Sequence, residues 1–178
     1  MRLPTRPSTQ RSSRRWTPVL ASVTALLSLG VLAPAAPAQA APPGPVVIRV
    51  VDGDTVEVRG TGRVVPAGVV ARVRLLEIDT PERGACYSRE ATARTTELLP
   101  PGSTLRTEAD VELKDRYGRF LLYVWNERGV FVNESLVRSG HARSVLFEPN
   151  DKHWTTMTEA EAAARQAGAG LWSSCPTA

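Results

Sequence analysis

Histidine and cysteine, the usual builders of zinc centres, occur only twice each among the 178 residues. His141 and His153 are not spaced with the cysteines as a zinc site requires, so both are read as structural or exposed. Aromatic residues make up 6% of the chain, which leaves few for the stacking platforms that bind single strands non-catalytically. No long apolar run is present: positions 19–31 fall short of the roughly 20 residues that a membrane helix needs. Nor is there a real excess of positive charge. Five of the 22 Lys and Arg, and none of the 18 Asp and Glu, fall in the first forty positions, which leaves 17 basic against 18 acidic residues. Overall basicity is therefore no signature of nucleic-acid binding here, and any phosphate recognition must come from a local cluster of arginines.

What those forty positions do contain is a leader pattern. Arg2, Arg6, Arg11, Arg14 and Arg15 precede the apolar run, and Ala38-Gln39-Ala40 offers a small-residue cleavage site. Residues 1–40 are expected to be a signal peptide, 41–45 a short flexible mature start, and 46–175 one domain. An uncleaved anchor is the alternative. Arg14-Arg15 hints at twin-arginine export, but Thr17 and Pro18 stand where apolar residues would be wanted, which favours general secretion. The expected product is secreted, with no membrane attachment after cleavage. In such a chain a single pair of cysteines, Cys86 and Cys175, reads as a disulfide.

Along the chain, 46–51 and 55–59 read as a hairpin around Asp52-Gly53-Asp54, a turn expected to favour positive φ. A third strand is expected over 69–78, ended by Thr80-Pro81. Ser88 is the expected N-cap of a helix reaching 99, stopped by Pro100-Pro101-Gly102. Strands are expected at 104–108 with 111–113 and at 120–125, a short helix at 132–138 capped by Gly140, and a last helix over 154–167. Trp172 is expected to dock on the barrel. Three strands, a helix, two strands and two helices give an α+β order, and five strands that must cover their own edges suggest a Greek-key barrel of the OB type with three helices.

The charges in this scaffold need explaining. Arg74 sits in an apolar strand, with Asp79 and Glu82 at its mouth and Asp52 and Asp54 in the preceding turn. Brought together, these groups would surround a cation and a phosphate. The combination of Asp52-Gly53-Asp54-Thr55, Arg74-Leu75-Leu76-Glu77-Ile78-Asp79-Thr80-Pro81-Glu82, Asp115-Arg116-Tyr117-Gly118-Arg119 and Val132-Asn133-Glu134-Ser135-Leu136-Val137-Arg138-Ser139-Gly140 resembles the staphylococcal nuclease, or thermonuclease, family in order and spacing. That resemblance spans about residues 46–173. It implies an OB barrel that hydrolyses DNA and RNA with Ca²⁺, leaving a 3′-phosphate and a 5′-hydroxyl.

On the matching positions, the resemblance implies that Asp54, Asp79 and the Thr80 carbonyl bind the metal, hard oxygen donors being what calcium takes. Asp52 accepts hydrogen bonds in its turn or reaches the metal through water. Glu82 orients or deprotonates the attacking water. Arg74 and Arg119 hold the phosphate with planar, permanently charged forks. Arg116 and Tyr117 neighbour the substrate, with barrel packing the alternative for Tyr117. Glu77 stands where the family has an apolar residue, and a salt bridge with Arg72 or Arg106 is expected for it. Two further departures stand out: only Arg83-Gly84-Ala85 separates Glu82 from Cys86, and the base-stacking tyrosine position falls on Val145, with Phe147 the next aromatic. The expected partner is nucleic acid, single strands favoured, with no stable protein partner and a monomeric chain. The rival reading is a non-catalytic OB domain that binds single strands, which would have no need of the full acidic and arginine set.

Overall fold

The computed structural model describes residues 44–175; the expected signal peptide and residues 41–43 lie outside the described residues. The first hairpin pairs β1 (Val46–Val50) antiparallel with β2 (Thr55–Arg59), and β2 pairs antiparallel with β3 (Val70–Leu75). β6 (Phe120–Trp125) lies parallel to β3 and antiparallel to β5 (Arg106–Glu108), which gives the order β1-β2-β3-β6-β5. The run entering β5 then closes the ring against β1: Val47 N–H donates to the Ser103 carbonyl, Gly102 N–H to the Val47 carbonyl and Leu105 N–H to the Pro45 carbonyl. Sheet edges are thereby paired, as the expected OB-type barrel requires.

Inward residues alternate on β2, where Val56 and Val58 are fully buried between more exposed neighbours. β6 is buried on both faces. Phe120, Leu122 and Val124 join the barrel core with Val73, Leu75 and Ile78, while Leu121 and Tyr123 join Leu76 in a second cluster. Three helices cover the barrel, α1 (Ser88–Leu98), α2 (Val132–Arg138) and α3 (Trp154–Gln166), followed by the single turn α4 (Leu171–Ser174). Met157 and Ala160 of α3 and Leu136 and Val137 of α2 add to the same core. Gly140 adopts φ 68° as expected of a left-handed cap, and an added Cβ there would meet the Ala169 carbonyl at 2.0 Å.

Four local expectations are corrected. The third strand is not continuous: β3 stops at Leu75, Glu77 takes φ 59°, and Ile78–Asp79 forms a separate strand, β4, antiparallel to β7 (Arg143–Ser144). The Arg74 side chain stabilises this bend, donating to the Leu75 and Ile78 carbonyls at 2.7 Å each. Gly53 is not among the positive-φ glycines; its lack of a side chain is needed because a Cβ would meet the Thr80 side chain at 2.7 Å. Ser88 is the first helical residue rather than the cap, and its hydroxyl accepts from Gly84 N–H at 3.3 Å while left-handed Tyr87 (φ 69°) holds the N-cap position. Glu77 forms no salt bridge with Arg72 or Arg106. Its fully buried carboxylate accepts from the Tyr123 hydroxyl at 2.6 Å and from His153 N–H at 3.2 Å.

Candidate active site

The bend after β3 carries the acidic end of β4 to the turn of the first hairpin. Asp54 receives two donors from Thr80 on Oδ2, the backbone N–H and the hydroxyl, both at 3.0 Å. Its Oδ1 accepts from the Thr55 hydroxyl at 3.1 Å and forms an ion pair with Arg74, whose Nε lies 3.1 Å away. The backbone follows suit, with Leu75 N–H donating to the Asp54 carbonyl and the Thr95 hydroxyl of α1 donating to the Gly53 carbonyl at 2.6 Å. The turn is thus held by three elements at once.

Arg74 sits at the centre. Besides its ion pair with Asp54 and its hydrogen bonds to the two carbonyls, it donates from Nη2 to Asp79 Oδ1 at 3.1 Å, so its charge is matched by two carboxylates. A buried guanidinium without such partners would be costly. The Phe147 ring lies 5.2 Å from its central carbon.

Arg119 is positioned by a different aspartate. Asp115 Oδ2 accepts from Arg119 Nε at 2.7 Å, and its Oδ1 accepts the backbone N–H groups of Tyr117 and Arg119, both at 2.9 Å. Gly118, at φ 79°, makes the turn that allows this. Burial pushes the Asp115 carboxyl up, but these donors from Arg119 and Tyr117 outweigh it and hold the group below the ordinary carboxylate range. Sequence reasoning gave Asp115 no role; the signal for it is the acid and the arginine four residues apart across a glycine turn.

Asp52, Asp54, Arg74, Asp79, Glu82 and Arg119 line one cleft of about 540 Å³, with Thr80 and Phe147 also on its wall. Glu82 is exposed, and among the described residues no donor is hydrogen-bonded to its carboxylate. Asp79 is pushed up by burial and by the negative charges of Asp54 and Glu82, against the opposing pull of Arg74. Asp52 is raised as well, by burial and by the neighbouring charge of Asp54. Carboxylates crowded to this degree favour a cation between them.

The donor set suits a hard ion. Asp54 and Asp79 offer oxygens on one wall, and the Thr80 carbonyl belongs to the same segment. Among the described residues no three His, Cys, Asp or Glu side chains form a metal cage by themselves. An ion held here would complete its shell with the main-chain carbonyl and water, which calcium accepts and a structural zinc does not.

Arg116 and Tyr117 stand beside this cleft. Arg116 Nη2 donates to the Tyr117 hydroxyl at 2.7 Å, and the Tyr117 ring is 69% exposed, which excludes barrel packing. With Arg72, Gly118 and Arg119 it lines an adjacent depression of about 490 Å³. Val145 is exposed and lies outside the cleft lining, where Phe147 takes the aromatic place. The two histidines are elsewhere: His141 packs against Tyr87 at 5.2 Å, and His153 sits among Tyr123, Trp125 and Phe131. Cys86 and Cys175 are bridged, their Cα atoms 5.9 Å apart, so the loop after Glu82 is tied to the C-terminal turn α4.

Comparison with known proteins identifies the family. Residues 72–174 match the family model described as staphylococcal nuclease homologue. The thermonuclease of Staphylococcus hyicus is 35% identical over 133 residues, covering 71% of this chain and 74% of that protein. The thermonuclease of Staphylococcus intermedius is 35% identical over 130 residues, 70% of this chain and 73% of that protein. The SPbeta prophage-derived endonuclease YokF of Bacillus subtilis (strain 168) is 37% identical over 133 residues, 70% of this chain and 42% of that protein. The chain belongs to the staphylococcal nuclease family, and it is a nuclease.

Proposed function

We propose that this nuclease is exported and calcium-dependent, and that it hydrolyses DNA and RNA in line to 3′-phosphate and 5′-hydroxyl ends, single strands favoured. The observation that carries the reading is the single cleft in which two arginines, each anchored by an aspartate, meet Asp54, Asp79 and Glu82. Export is supported by the leader pattern and by the one disulfide, a bond of oxidising compartments.

In this reading Asp54, Asp79 and the Thr80 carbonyl hold calcium, which supplies Lewis-acid polarisation of the phosphate when bound. Glu82 accepts a hydrogen bond from a water and takes its proton as that water attacks phosphorus. Arg119, aimed by Asp115, hydrogen-bonds the equatorial oxygens and the departing 5′ oxygen, which leaves with the P–O bond pair and takes its proton from solvent water. Arg74 keeps Asp54 and Asp79 in place and presents its remaining Nη2 proton to the phosphate. Donors fixed in advance by Asp115 and Asp54 need no rearrangement as charge develops. Arg116 and Tyr117 contact the chain on the leaving side.

End-group analysis tests the proposal. Digested single-stranded DNA should carry 3′-phosphates, which block polymerase extension until a phosphatase removes them. Ends that extend without phosphatase would refute the assigned bond cleavage.

A further inference from the structure

A second cavity, of about 330 Å³, lies across residues 79–82 from the catalytic cleft and shares that rim with it. Leu171, Ala85 and the Cys86–Cys175 bridge give its lining an apolar part. Its one cation is Arg143, which stands opposite Asp79 in the β4–β7 register. The Arg143 guanidinium is backed by the Trp172 ring at 5.5 Å, a ring whose other arginine neighbour, Arg165 at 4.0 Å, is already paired with Glu161. Arg143 is exposed, and its charge opposes the upward push on the Asp79 carboxyl across the β4–β7 pair, but among the described residues no carboxylate lies within ion-pair distance of it.

We infer that this cavity is the subsite for the nucleotide upstream of the scissile phosphate, with Arg143 gripping the next phosphodiester in that direction. The inference rests on the nuclease reading and adds a substrate contact to it. In-line departure of the 5′ oxygen towards Arg119 sends the downstream nucleotide to the Tyr117 side, so the upstream one must cross the rim of residues 79–82. Asp79 and Glu82 on that rim repel a second phosphate. Arg143, cross-strand from Asp79, is the cation of the cavity that offsets this repulsion, so the phosphate is held there while the sugar rests against the apolar lining. An arginine held within cation–π range of an indole loses less side-chain entropy on binding.

The test uses two thymidine trinucleotides that differ only in the first linkage, a phosphodiester in one and an uncharged methylphosphonate in the other. Release of the 3′-terminal nucleoside is followed with wild-type protein, Arg143→Gln and Arg143→Lys. Wild-type should show a KM about tenfold lower for the charged substrate, as expected for one charge-assisted contact. Arg143→Gln should abolish that difference by raising KM for the charged substrate about tenfold relative to the methylphosphonate, and Arg143→Lys should keep part of it. Equal losses on both substrates, or no loss on either, would overturn the subsite while leaving the nuclease reading intact. Wild-type protein that cleaves neither trinucleotide nor denatured DNA would overturn the nuclease reading and the subsite together.

Discussion

Asp54 and Thr80 are joined twice, the Thr80 backbone N–H and hydroxyl both donating to Asp54 Oδ2 at 3.0 Å. This pair welds the first hairpin turn to the end of β4 and so brings the two acidic groups to one wall. Thr80→Val keeps the shape and removes the hydroxyl donor. It should lower unfolding free energy by about 1–2 kcal/mol with an unchanged denaturant slope, since the acceptor is a buried carboxylate. Urea titration followed by tryptophan fluorescence measures it.

Asp115 has its effect through Arg119. Asp115→Asn retains one acceptor oxygen but loses the ionic pair, and turnover should fall about tenfold to a hundredfold as Arg119 loses its aim. Because the Asp115 carboxyl is held below its ordinary value of 3.8, its stabilising effect is present above that pH and is lost as pH falls through the lower folded value. Acid unfolding of wild-type should therefore steepen below about pH 4 relative to Asp115→Asn, as measured by circular dichroism against pH.

Glu77 has the opposite sign. Burial raises its carboxyl above the ordinary 4.5, although Tyr123 and His153 donate to it. The Tyr123 hydroxyl also lies 3.1 Å from Asp110, and its single proton can serve only one of the two carboxylates. The stability this favours is present below pH 4.5 and is lost as pH rises through the raised folded value. Glu77→Gln should thus unfold at higher urea than wild-type at pH 8, and the two midpoints should converge near pH 4.

The disulfide closes a separation of 89 residues. Replacing both cysteines by serine should cost about 2–5 kcal/mol, seen as a lower Tm by calorimetry.

Much of the fold was legible because its elements follow simple periods. The alternation at 55–59 and the apolar run at 120–125 gave β2 and β6, and the helix at 132–138 was bounded by its glycine. The break at Glu77 was not legible, because apolar residues continue through it and a charged residue with positive φ gives no local signal. What makes that bend is the Arg74 side chain reaching two carbonyls, a tertiary effect. The site residues were legible only as a resemblance of four motifs. That Asp52, Asp54, Asp79 and Glu82 face one cleft depends on β4 turning back towards the hairpin, and Arg143 reached its cavity through the same pairing of β4 with β7.

The hydrolysis proposed for the cleft of Asp54, Asp79 and Glu82 requires calcium. It is tested most directly by following nucleotide release from heat-denatured DNA with purified protein, with calcium in one arm and a chelator in the other. Release should require calcium, and Glu82→Gln should reduce it by a factor on the order of 10²–10⁴ while the protein stays folded. Release that persists under chelation, or folded wild-type protein that releases nothing in calcium, would rule out calcium-dependent catalysis in this cleft.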